Sequence, residues 1–516
     1  MLSRRTFASA TIASAALLAR AGDGHAQSPA QNTAQAVGEG QVISKQALID
    51  YARDMSRAPY SAPRADLPRA LAQLPLDQYR QIGFKPEARL WANENRSFTV
   101  EPLHPGNVFT TPVILRTVEN GIIRDQRYQA GQFDFGQLQP PSADAALFFS
   151  GFRARAALNG SLIADDVLTF QGASFFRTLA RGQRLGLMAR ALILNLAEAQ
   201  GEEFPMFRAF WIERPGAGAT TLVVHGLLDS ESVTGLYRFA LRPGDMTICD
   251  VEVTLFPRVD LAHVGIAPLT ANFLFAPNDR SGIDDVRNGV HEVNGLQVWN
   301  GAGEWIWRPL HNPETLQISA FVDQNPKGFG LLQRDRRFES YNDLDARFER
   351  RPSVWIEPLS DWGPGQVQLV EIPVNDEVNR NILAYWRPRQ PLARGQEHSF
   401  TYRMSWGWGP QERHPGAIAS GLRVGRAPGG GRRRRFFVDF TSDDFADNAV
   451  GSTLKANLSA HRGRILSQDA RLVPELRLYR VSFDLDPEAA NLVELRLFIE
   501  RDGQPASETW LYRWTP

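Results

Sequence analysis

The sequence predicts an all-β protein: a large N-terminal antiparallel β-sandwich followed by a smaller immunoglobulin-like β-sandwich. Three observations carry that expectation. The chain has 516 residues, more than one ordinary core organises. From about residue 85 the apolar residues recur with period two, as in Val251, Val253 and Leu255 with Glu252 and Thr254 between them. That is the pattern of a strand with one buried face. Such runs are separated by Gly, Pro, Asn and Asp, while helical periodicity is scarce, so hairpins rather than βαβ units are implied.

Taken in order, residues 1–27 read as an address. Arg4 and Arg5 precede Phe7, a short Ala-rich apolar stretch follows, and "GHAQ" offers a cleavage point after Ala26. Paired arginines with a mild apolar region look like a twin-arginine signal, which exports folded proteins. The periplasm is then the location and the twin-arginine export machinery a partner. Residues 28–40 are rich in Gln, Ala and Gly and read as a disordered linker. Ser44 caps a short helix in which Leu48, Tyr51, Ala52 and Met55 share a face. The segment "NDLDARFERR" (342–351) is a second helical candidate. The large sandwich is expected over 41–387 and a linker over 388–397, where two prolines, a glycine and charges cluster. Residues 398–516 carry short alternating strands, such as Phe436, Val438, Phe440 and Val493, Leu495, Leu497, Ile499. Their length and spacing suit an immunoglobulin-like domain. The basic run "GRRRRFF" (431–437) beside "APGGG" reads as a solvated hairpin tip.

Composition narrows the chemistry. Fifty-seven basic and 57 acidic residues balance to a net charge of +0, which argues against a nucleic-acid partner. The single cysteine, Cys249, permits no intrachain disulfide and reads as a buried strand residue. Scattered histidines without metal-ligand spacing imply no metal, and no phosphate-cradling glycine loop or nucleophile elbow is present, so no cofactor is expected.

Aromatic and polar residues alternate densely in "NGAGEWIWRPLHNP" (300–313), "YNDLDARFERRPSVWIEP" (341–358), "SDWGPG" (360–365) and "NILAYWRP" (381–388). Sugar rings stack their apolar faces on aromatics and offer hydroxyls to carboxylates and guanidinium forks. Trp305, Trp307, Tyr341, Asp343, Arg347, Arg351, Trp355 and Trp362 are therefore candidate saccharide-binding residues. The carboxylates in and around these stretches are Glu292, Glu304, Asp343, Asp345, Glu349, Glu357, Asp361, Asp376 and Glu377. Glycoside hydrolysis needs two of them across the scissile bond, and sequence leaves open which two.

Together with "FDFG" (133–136), "GEEFPMFRAFWIERP" (201–215), "GIAPLTANFLFAPN" (265–278) and "VQLVEIPVNDEVNRNILAYWRP" (367–388), these stretches resemble the osmoregulated periplasmic glucan biosynthesis proteins of the OpgG/OpgD (MdoG/MdoD) family. The twin-arginine motif makes the chain look more like the D branch. The resemblance implies a galactose mutarotase-like N-terminal sandwich with a groove and an immunoglobulin-like C-terminal domain. It also implies a role in making β-1,2-glucan, with a glucan synthase at the inner membrane as a partner.

Some members resemble inverting hydrolases of β-1,2-glucan. Their general acid is an Asp directly after an N-D-E-x-N motif, and their base an Asp directly after a His. The matching positions here are Arg380 and Glu292. A guanidinium keeps its protons at neutral pH and is no proton donor. Two functions of different class follow. One is a factor that binds or shapes the glucan in the family groove. The other is a hydrolase or transglycosylase that uses another acid, such as Asp376 or Glu377.

Overall fold

The computed structural model describes residues 37–63, 66–142, 145–160, 164–280, 282–446 and 453–516. The all-β expectation holds. A ten-stranded and a fifteen-stranded sheet dominate. Both contribute to one core, in which Phe239, Val251 and Val253 of the larger sheet pack with Phe170, Leu269, Val367 and Trp386 of the other. Strand Thr247–Pro257 shows the reason: its buried positions alternate with half-buried ones, so one face of the pleat meets the second sheet. Cys249 lies on that buried face, and burial, followed by the Asp250 charge, pushes its thiol well above the ordinary range.

The expected first helix is Lys45–Arg57, and Ser44 Oγ accepts from Ala47 N at 3.3 Å. Leu48 and Ala52 are buried against the outer face of the larger sheet, next to Trp211 and Leu236. The twin-arginine segment lies outside the described residues, as does most of the expected linker. The described end of that linker is anchored: Val37 is buried, its carbonyl accepts from Trp211 Nε1 at 3.0 Å, and Gly40 N donates to Ile123 O at 2.9 Å.

The second helical expectation fails. Residues 342–351 form turns and a single 3-10 turn, Phe348–Arg350. Asp343 Oδ1 accepts from the amides of Asp345 and Ala346, at 3.0 and 2.7 Å, and so competes with helical bonding. Arg347 then takes a left-handed φ of 46°.

The domain boundary also moves. Strand His398–Gly407 pairs with Thr247–Pro257 on one side and Ser353–Pro358 on the other, inside the large sheet. The Pro- and Gly-containing stretch 388–397 is therefore a connection between two strands of the large sandwich, not a linker between domains. After it a four-stranded sheet (Ile418–Arg426, Arg434–Thr441, Leu478–Asp486, Arg464–Val473) faces Val493–Arg501, Thr509–Trp514 and Leu454–Ala460. Phe436, Val438 and Phe483 meet Leu495, Leu497 and Trp510 in a second core. These last strands extend the large sheet through the parallel pairing of Thr509–Trp514 with Trp305–Pro309. The basic run does form a hairpin tip: Gly429, Gly430 and Gly431 turn the chain with positive φ. Arg435 grips Asp484 through two bonds of 2.7 Å.

Candidate functional site

Antiparallel register gathers the site at one end of the ten-stranded sheet. Thr270 pairs with Met188, and Ala271 with Ile382. Asn272, leaving one strand, thus meets Gly186 and Arg380, which precede two others. Phe176 pairs with Ala189, which brings Arg177 to the same end. Strand Val290–His291 pairs with Phe273–Phe275 and delivers Glu292 there too.

Glu292 and Arg380 face each other in an ion pair. Arg380 Nη1 donates to Glu292 Oε2, and Arg380 Nη2 reaches Oε1 at 3.4 Å and Gly186 O at 3.0 Å. Glu292 Oε2 also accepts from Asn272 N at 3.1 Å, and Glu292 is 7% exposed. The two positions that the resemblance set against a general acid and a base are thus brought together, but one carries a guanidinium. Such a pair can hold a ligand's hydroxyl or anionic group. It cannot protonate a leaving group, because the guanidinium retains its protons.

The turn 374–381 is held at both ends by asparagines. Asn381 Oδ1 accepts from Phe273 N at 2.8 Å, and its Nδ2 donates to Phe273 O and Ile372 O. Asn312 exchanges two bonds with Val374. Within the turn, Asp376 Oδ1 accepts from Val378 N at 3.0 Å, which is the work of a turn-forming carboxylate. Glu377 and Asp343 both pair with Arg287 Nη1, at 2.7 and 3.1 Å, so one guanidinium ties together the loops that carry them. Neither Asp376 nor Glu377 bonds to Glu292.

The aromatic candidates are core residues. Trp305, Trp307, Tyr341, Trp355 and Trp362 are only 6, 4, 0, 3 and 5% exposed, so no sugar ring can stack on them in this structure. Trp305 lies between Trp299 and Trp355, with ring centroids 4.7 and 5.8 Å away. Gly328 makes room for this column, since a Cβ there would fall 2.3 Å from Trp355 Cζ2. Trp307 carries the Arg334 guanidinium 3.5 Å from its ring centroid, at the junction of the two sandwiches. Tyr341 packs edge-on to His291 and donates to Asp335 O, so it supports the residue preceding Glu292. Arg347 pairs with Glu349 rather than with the site. Of the sequence-predicted binding residues, Arg351 alone sits beside Glu292 and Arg380: its stem packs on Gly186, whose carbonyl Arg380 bonds.

Trp408 was missed. Of the twelve tryptophans, it alone is exposed, at 44%, with Trp299 half-buried. Arg336 stacks 5.2 Å from its ring centroid and bonds both Trp408 O and Arg351 O, linking it to the site. Its segment, "SWGWGP", carries no charges, so a search for aromatics alternating with charge passes over it. Among the described residues no group of three or more His, Cys, Asp or Glu side chains is arranged to hold a metal ion.

The sequence profile of the family described as "Periplasmic glucan biosynthesis protein, MdoG" matches residues 43–514. The chain belongs to this family. It is 45% identical over 465 residues to a "Glucans biosynthesis protein G" of Rhodopseudomonas palustris, covering 90% of this chain and 92% of the relative. A protein of the same name from Bradyrhizobium diazoefficiens is 42% identical over 508 residues, 98% of each chain. One from Shewanella frigidimarina is 42% identical over 473 residues, 91% of this chain and 84% of the relative. As an MdoG-family protein the chain takes part in glucan biosynthesis, and the family's description places that work in the periplasm. The expected family is thereby met. The leaning to the D branch is not shared by these relatives, which carry the G name. No helix among the described residues is long and apolar enough to cross a membrane.

Proposed function

We propose that this MdoG-family protein binds and shapes the β-1,2-glucan chain at the end of the ten-stranded sheet, without hydrolysing it. The observation that carries this reading is the Arg380–Glu292 ion pair, standing where an acid and a base are needed. The enzyme alternative, with Asp376 or Glu377 as proton donor, draws no support from their engagement. Asp376 stabilises its own turn and Glu377 answers Arg287. Arg351 and Trp408 are the groups we assign to saccharide contact, one as a fork for hydroxyls and the other as a stacking platform. Calorimetry with a linear β-1,2-glucan oligosaccharide tests the reading. Saturable binding by the wild-type protein is expected, and no binding at millimolar ligand would contradict it.

The paired arginines of residues 4 and 5 support export of the folded chain by the twin-arginine machinery, and the family role supports a glucan synthase at the inner membrane as partner. Cell fractionation of an Arg4→Lys, Arg5→Lys precursor checks the export route: it should stay unprocessed in the cytoplasm.

A further inference from the structure

The cations around Glu292 outnumber its charge. Arg380 takes the carboxylate. Arg351 lies against Gly186, where an added Cβ would fall 2.8 Å from Arg351 Cδ, and its buried Nε has no hydrogen-bond partner. Arg177 ends strand Phe175–Arg177 at the same edge and makes no side-chain hydrogen bond or ion pair among the described residues. The two carboxylates that act on Arg177 are both engaged elsewhere. Asp166 accepts from Arg153 Nη1 at 3.0 Å and lies 3.1 Å from Arg155 Nε in an ion pair, and Glu292 is bonded by Arg380. Arg184 spends Nη1 on the carbonyl of Asp345, at 2.9 Å. Burial and then the neighbouring Arg380 charge work against the charged form of Arg177. Burial, together with Arg380 and Arg184, does the same at Arg351 despite the opposing pull of Glu292. Asp343 also pulls on Arg351 but is itself paired with Arg287. Guanidinium groups that outnumber the counter-charges left to them are unfavourable unless a ligand supplies the missing anion.

We propose that Arg177, Arg351 and Arg380 form a receptor for an oxyanion, a carboxylate or phosphate, carried on the glucan chain. The proposal rests on the reading that this site holds a saccharide. Three guanidinium forks gathered at one sheet edge suit the planar or tetrahedral oxygens of such a group, whereas a neutral hydroxyl leaves most of their charge unanswered. The position reserved in hydrolytic relatives for a proton donor thereby becomes part of a specificity element for charged substituents.

The test compares a neutral linear β-1,2-glucan oligosaccharide with the same molecule oxidised at a primary hydroxyl to a uronate, and adds inorganic phosphate as a free anion. The mature wild-type protein should bind the uronate form at least about tenfold more tightly than the neutral one, with the preference shrinking as salt rises. Arg177→Gln should abolish that preference and raise the melting temperature of the ligand-free protein, because it removes a cation that lacks a partner. Arg177→Lys should keep part of the preference. Equal affinity of the wild type for both saccharides overturns the proposal. So does an Arg177→Gln protein that melts lower and still prefers the uronate, which would assign Arg177 to structure alone. If neither saccharide binds, the glucan reading fails by itself. Phosphate stabilising the wild type but not Arg177→Gln would then still uphold the anion receptor, and no phosphate effect would overturn it too.

Discussion

Arg380 sets the chemistry of its surroundings through one bond. By pairing with Glu292 it puts a guanidinium, which keeps its protons, opposite the carboxylate. The tryptophans teach a second lesson at this scale. Alternation of aromatics with charges was legible in the sequence, but which face of each strand turns inward was not. Trp305, Trp355 and Trp362 turned out to fill the core, and the exposed Trp408 lay in an uncharged segment. Two substitutions separate the roles. Trp355→Ala should cost about 3–5 kcal/mol of stability, as large aromatic truncations in cores do, measured by denaturant unfolding. Trp408→Ala should leave stability nearly unchanged and weaken oligosaccharide binding by roughly 1–3 kcal/mol, by analogy with base–aromatic stacking. Unchanged affinity in Trp408→Ala would remove that ring from the site.

At the scale of elements, the turn 374–381 serves two ends at once. The asparagines and Asp376 of 374–381 do what such residues do in turns, and the same turn presents Arg380 to the site. The failed helix at 342–351 has a local cause, the Asp343 side chain bonding the backbone just after it, whereas the shifted boundary at 398 arises because local pattern does not report a long-range partner. His398–Gly407 is a central strand because Thr247–Pro257 and Ser353–Pro358 lie far away in sequence and near in space. Another long-range contact joins the two large sheets. Glu371 is fully buried and pairs with Arg308 at 3.1 Å, while His311 N donates to its other oxygen at 3.1 Å. Burial alone would raise this carboxyl, but Arg308 and then His311 outweigh it and hold it at about 2. Because the folded value lies below that of the unfolded chain, the unfolded state takes up its proton first on acidification. The stabilisation from Glu371 is therefore complete above about pH 4.5 and is lost as pH falls towards 2. Glu371→Gln should flatten the stability profile in that window. Arg308→Met, which strands the carboxylate, should cost about 3–5 kcal/mol at neutral pH.

For the whole molecule, the all-β class, the first helix and the basic hairpin were legible because each rests on local periodicity or turn chemistry. Their arrangement was not. The C-terminal strands continue the large sheet through a parallel pairing that no local pattern announces, so the second sandwich is fused to the first along a sheet edge. The site shows the same division. Motif position singled out Glu292 and Arg380, whereas Arg177, which lies just over 200 residues before Arg380 in the chain, is brought there only by strand order. We propose that this architecture presents a glucan to a site that lacks its proton donor. The chain-length distribution of linear β-1,2-glucan, followed after incubation with the wild type beside Arg380→Asp combined with Glu292→Asp, tests it most directly. General acid catalysis contributes roughly 10²–10⁴-fold, so the wild type should leave the glucan at its starting length while the double variant shortens it with inversion. Wild-type protein that shortens the glucan as fast as the double variant, or faster, would contradict the claim.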